Sequence, residues 1–122
     1  IMSIQVQIEE MPGYLAANFI GVGTAEDAWR QFELIAEQCK RANKNKLLLN
    51  FTEYRADVFL HEKYLLVERA TIFAHYGVRK IAGVDKLERL DPQKFEEIVA
   101  LNPGINARGF TNVEDAEQWL LE

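Results

Sequence analysis

Leu47-Leu48-Leu49-Asn50-Phe51 is a short continuous apolar run, the kind of strand that is buried on both faces of a parallel sheet. It is read as the central strand. Upstream, the period changes to helical from Thr24, with Ala28, Phe32, Ile35 and Cys39 in one stripe that Trp29 and Ala36 widen. Thr24 and Asp27 form a capping-box start, and Glu26 and Asp27 place negative charge at the positive end of the helix dipole. This predicts a helix over about 25–42, and the cluster Lys40, Arg41, Lys44 and Lys46 then complements its negative end. Earlier still, residues 3–9 alternate strictly, with Ile4, Val6 and Ile8 on one face and Gln5, Gln7 and Glu9 on the other. Pro12-Gly13 turns the chain back into Tyr14-Leu-Ala-Ala-Asn-Phe-Ile-Gly21, so the chain opens with an antiparallel hairpin.

Downstream of the central run, a second helix is expected over about 58–76, capped by Asp57 and ended by Gly77 in the left-handed conformation. Residues 78–84 read as another buried strand. Asp91-Pro92 is a helix entry, with Phe95, Ile98, Val99 and Leu101 on the apolar face and Asn102-Pro103-Gly104 as the stop. A weak strand over 106–110 leads into a last helix over 113–121 that turns Val113, Ala116, Trp119 and Leu120 inward. Thr24-Ala-Glu-Asp-Ala28 and Asn112-Val-Glu-Asp-Ala116 share one helix-start grammar. The fold class is therefore α/β: a single domain over residues 2–122, with a mixed five-stranded sheet, an N-terminal hairpin and about four helices. Strands reached through a helix are expected to be parallel.

The chain has 122 residues and a net charge of -5, with 48% hydrophobic and 27% charged residues, which suits one ordinary core and disfavours disorder. Its acidity opposes the phosphate attraction on which nucleic-acid binding depends. Charged residues interrupt every apolar stretch well short of the roughly 18 residues a membrane span needs. A single cysteine forms no internal disulfide, no charged-then-apolar leader opens the sequence, and cytoplasm is the expected compartment.

Catalytic patterns are sparse. Gly21-Val-Gly23-Thr24 opens a helix, but it lacks the third glycine of a dinucleotide fingerprint and the lysine of a phosphate loop. His61, Glu68 and His75 share one face of the second helix, yet residues seven apart are separated by about 10.5 Å along a helix axis, too far to ligate one ion. Cys39 lies in an apolar stripe, and Ser3 is the only serine. No enzyme, cofactor or metal is expected. The least routine stretch is Tyr54-Arg-Ala-Asp-Val-Phe-Leu-His61, just past the carboxyl end of the central strand, where open α/β sheets receive ligands. Tyr54, Arg55, Asp57, Val58, Phe59 and His61 are the candidate contact residues. Against that, Val58 and Phe59 could simply begin a buried helix face.

The hairpin, the acid-capped helix, Leu47–Phe51, the Ile81-Ala-Gly-Val84 strand and the closing Gly109-Phe-Thr-Asn-Val-Glu-Asp-Ala-Glu-Gln-Trp-Leu120 together resemble the STAS-like domains. The resemblance is to their small stand-alone branch, named after the sporulation anti-sigma-factor antagonist (SpoIIAA-like), and covers nearly the whole chain. It implies a regulatory or adaptor domain acting by protein contact. In the antagonist, a serine at the start of the second helix is the phosphorylation switch. Residues 54–61 hold neither serine nor threonine, so action without a serine phospho-switch is expected. The alternative is a carrier that binds a small apolar molecule between the second helix and the sheet; a cavity of roughly 300 Å³ or more would favour it. Weak homodimerisation is also expected, through the first strand at a sheet edge or through the second helix.

Overall fold

A computed structural model of the chain describes residues 4–56 and 67–122. Strand β1 (Ile4–Met11) turns at Pro12-Gly13 into β2 (Tyr14–Gly23), and α1 (Ala25–Trp29) and α2 (Phe32–Arg41) lead to β3 (Lys46–Ala56). After α3 (Thr71–His75) come β4 (Lys80–Val84), α4 (Pro92–Leu101), β5 (Asn106–Phe110) and α5 (Val113–Leu120). The sheet order is β1-β2-β3-β4-β5, with β1 antiparallel to β2 and the other neighbours parallel. Leu47–Phe51 is thus central, and β1 is an edge.

This order decides where the helices go. The chain steps one strand at a time in one direction, so right-handed crossovers place every connecting helix on the same face. The larger core lies there: Phe19, Leu47, Leu49 and Ile81 from the sheet meet Phe32, Ile35, Phe73, Phe95 and Ile98 from α2, α3 and α4. Among the described elements only α5, which follows the far edge strand, covers the other face, where Ala116 and Leu120 pack on Tyr14, Ala16, Leu48, Ala82 and Val84. The Tyr14 hydroxyl donates to Glu117 Oε2 at 2.6 Å and pins α5 to β2; burial and that carboxylate raise its pKa.

Several boundaries differ from the sequence expectation. The helix expected over 25–42 is divided: the Gln31 amide donates to the Ala28 carbonyl, three residues back, which tightens one turn between α1 and α2. Both halves still bury the expected stripe, and the capping box forms, with Asp27 N–H donating to Thr24 Oγ1 and Thr24 N–H to Asp27 Oδ2. The strand expected over 78–84 begins at Lys80, after the turn at Gly77. Of the helix expected over 58–76, residues 57–66 lie outside the described residues; 67–69 and Thr71–His75 are helical. Leu101 and Val113, expected inside, are exposed; Leu101 is the last residue of α4 and Val113 the first of α5.

Candidate functional site

A bulge in β3 builds the site. Asn18 pairs with Asn50, but Ile20 pairs with Glu53, so β3 carries one extra residue between them. Side chains alternate along a strand, and an extra residue reverses which face each later one takes. Leu47, Leu49 and Phe51 face the helices, and by simple alternation Tyr54 would face away. The bulge turns Tyr54 back onto that face, where its ring centroid lies 6.2 Å from that of Phe19 and Phe51 stacks on Phe19 at 4.6 Å. Asn50 Oδ1 accepts from Thr52 N–H and Thr52 Oγ1–H, while Asn50 Nδ2 donates to Asn18 Oδ1. These bonds hold the irregular backbone on the opposite face.

Between the helices and the carboxyl ends of β3 and β4 lies a cavity of about 350 Å³. Leu49, Phe51, Tyr54, Ile81 and Gly83 form its sheet side, and Ala28, Phe32, Ala70, Phe73, Phe95 and Ile98 its helix side. Gly83 lets the Phe95 ring sit on the sheet, since a Cβ there would lie 2.5 Å from ring carbons. The only polar atom that Tyr54 brings, its hydroxyl, donates to the Thr24 carbonyl at 2.5 Å. Burial, with the Asp27 charge as the smaller cause, pushes the Tyr54 pKa up to about 12. It is a neutral hydroxyl.

Among the described residues, charge is confined to the rim: Asp85, Glu88, Arg89 and Asp91 on the segment that joins β4 to α4, and Lys94 in the first turn of α4. Arg89 ties this segment to the bulge. Its Nη2 lies 2.8 Å from Asp85 Oδ1 and donates to the carbonyls of Phe51 and Thr52, at 3.1 and 3.3 Å. The β3–β4 ladder ends at Asn50 and Val84, so these carbonyls lie past the last ladder pair and Arg89 supplies a donor to each.

Of the residues singled out in the sequence, Tyr54 lines the cavity but is buried. Arg55 is exposed on β3, paired with Val22. Both belong to a strand and not to the loop expected after residue 51. Asp57, Val58, Phe59 and His61 lie outside the described residues. The rim was missed, though Asp85-Lys-Leu-Glu-Arg89, a charged run right behind a buried strand, was its visible mark. Gly21-Val-Gly23 is the paired end of β2, and Thr24 is the N-cap of α1, its side chain already bonded to the Asp27 amide. Cys39 is fully buried, and burial pushes its thiol up to about 12, far from a reactive thiolate. Among the described residues, no group of three or more His, Cys, Asp or Glu is placed to hold a metal, and no helix is long and apolar enough to cross a membrane.

The chain matches no protein-family model and no curated protein. It is similar in structure to an uncharacterized DUF3478-family protein with a SpoIIAA-like fold from Shewanella loihica PV-4, at 22% identity and a TM-score of 0.61, covering 98% of this chain and 95% of that one. It is also similar to an anti-sigma factor antagonist from Mycobacterium paratuberculosis, at 9% identity and a TM-score of 0.61, covering 98% and 96% of the two chains. A third likeness is to the Bacillus cell fate determinant SpoIIAA in its phosphorylated form, at 11% identity and a TM-score of 0.50, covering 94% and 99%. With the hairpin, the mixed five-stranded sheet and the helices in this order, the chain has the STAS-like, SpoIIAA-like fold.

Proposed function

We propose that this chain is a non-catalytic binding domain whose cavity takes a small apolar molecule. The observation that carries the reading is the cavity itself: about 350 Å³, walled by aromatic and aliphatic side chains from β3, β4 and the helices of one face. Ligand sites are concave, mostly apolar and at least about 300 Å³. Among the described residues the inner walls offer no nucleophile, since the one hydroxyl there, that of Tyr54, is neutral and bonded to a main-chain carbonyl.

Titration with the uncharged fluorescent probe N-phenylnaphthylamine tests this. Saturable binding of one probe per chain is expected, with loss of binding in Ala56→Trp, which narrows the cavity from the half-buried end of β3. A folded wild-type protein that leaves the probe dark overturns the reading.

A second reading is a regulatory domain acting by protein contact, without a serine phospho-switch. What favours it is that two of its structural neighbours are an anti-sigma factor antagonist and SpoIIAA. The contact would use residues 54–61, in which Arg55 is the exposed described side chain. Partner capture lost in Arg55→Glu while the melting temperature is unchanged would support it; capture unaffected by that change contradicts it.

A further inference from the structure

The inner wall of the cavity bears on the shape of apolar molecule that fits it. Phe32, Phe51, Tyr54, Phe73 and Phe95 line it, so among the described residues most of the apolar bulk facing the cavity is aromatic. These rings are held by their neighbours. Phe51 stacks on Phe19, with centroids 4.6 Å apart and planes at 14°, and the Tyr54 hydroxyl is tied to the Thr24 carbonyl. Phe32 and Phe73 brace each other at 5.0 Å and 44°. Phe95 rests on bare backbone at Gly83 and Gly109, where added Cβ atoms would lie 2.5 and 2.7 Å from its ring carbons. The small lining residues, Ala28, Ala56, Ala70 and Gly83, have no rotamer to change.

Such a wall keeps its shape, unlike the flexible methionine-rich surfaces that repack around many partners. A flexible aliphatic chain must give up torsional freedom to fit a fixed cavity, a loss that a fused ring system does not incur. Each lining ring also has a negative face and a positive edge, so a planar aromatic occupant gains offset-stacked and edge-to-face contacts that a saturated molecule of the same skeleton lacks. We propose that the cavity prefers a rigid, uncharged, fused aromatic molecule to a flexible aliphatic one, seated among Phe32, Phe51, Phe73 and Phe95. The proposal rests on the reading of the cavity as a ligand site, and the rim charges play no part in it.

The test displaces N-phenylnaphthylamine from the folded protein at pH 7 with three alcohols of equal carbon number: 2-naphthol, its saturated analogue decahydro-2-naphthol, and decanol. Each affinity is divided by the compound's own octanol–water partition coefficient, which removes bulk hydrophobicity. On that scale 2-naphthol is expected to bind about tenfold more tightly than decahydro-2-naphthol, the yield of one or two ring contacts, and decanol is expected to bind most weakly. Phe51→Leu and Phe95→Leu each keep an apolar wall and remove a ring. In folded protein, each is expected to lower the preference for 2-naphthol over decahydro-2-naphthol about threefold, with the probe still bound. Equal affinities for those two alcohols, or a preference that neither replacement moves, overturns the selection for aromatic rings. Decanol binding as tightly as 2-naphthol overturns the selection for rigidity. In each of these cases the probe still binds and the cavity reading survives; failure of the probe itself removes both.

Discussion

Tyr54 is a surface-looking residue that the fold uses internally. Its hydroxyl satisfies the Thr24 carbonyl, and Tyr54→Phe leaves that carbonyl without its side-chain donor, at a cost of about 1 kcal/mol at neutral pH by urea unfolding. Its titration adds a signature at alkaline pH. The unfolded chain loses the Tyr54 proton near pH 10 while the folded chain holds it to about 12, so stability from this group is complete below 10 and falls as pH rises from 10 to 12. Tyr54→Phe should flatten that part of the pH–stability curve, and an unchanged slope would contradict the placement. Gly83 makes the complementary case. Gly83→Ala drives a methyl against the Phe95 ring, which must move toward the cavity, and a loss of about 1–3 kcal/mol is expected together with weaker probe binding.

Among the elements, the β3 bulge matters most. Inserting one alanine between Glu53 and Tyr54 would send Tyr54 to the face of Asn18 and Asn50, whereas deleting Glu53 removes the extra residue and leaves Tyr54 on the helix face opposite Gly21. Exposing one large buried side chain alone costs about 1.5–3 kcal/mol, so the insertion variant should melt well below the deletion variant. Equal melting of the two would show that the bulge does not aim Tyr54. The helix ends are separate devices. Lys44 N–H donates to the Cys39 carbonyl and Asn43 N–H to that of Lys40, with Asn43 at φ 56°, a left-handed cap usually given to glycine. Asn43→Gly should be neutral or stabilising, whereas Asn43→Val should destabilise by about 1 kcal/mol or more; thermal melts decide.

What the residues disclose at this scale is uneven. Thr24, Asp91 and Asn112 each cap the helix that their side chains announce, and Gly77 takes the left-handed conformation expected of it. These are local signals, fixed by groups a few residues apart. The continuation of β3 past Phe51 was hidden, because Thr52-Glu-Tyr-Arg lacks an apolar run and the bulge breaks its alternation. Its cause is non-local: β2 continues to Gly23 and offers a partner edge. The rim is likewise a product of folding, since Arg89 reaches back to Phe51 and Thr52 across more than thirty positions.

At the scale of the whole molecule, the strand order that puts the connecting helices on one face also creates the cavity, where α1, α2, α3 and α4 fan over the ends of β3 and β4. Element order carries that much, which is why the SpoIIAA-like fold was legible while the cavity was not. The β1 edge gives a further expectation: among the described strands it pairs only with β2, and weak antiparallel self-pairing should raise the sedimenting mass at high concentration. A mass fixed at one chain across a hundredfold dilution would contradict it. The central claim is that the space between that helical face and the sheet is a ligand site. Amide-resolved NMR during addition of N-phenylnaphthylamine tests it most directly. Shifts that saturate together and centre on Ala28, Leu49, Ala70, Gly83 and Phe95 are predicted. No shifts, or shifts centred on the α5 face at Ala16, Leu48 and Ala116, would contradict it.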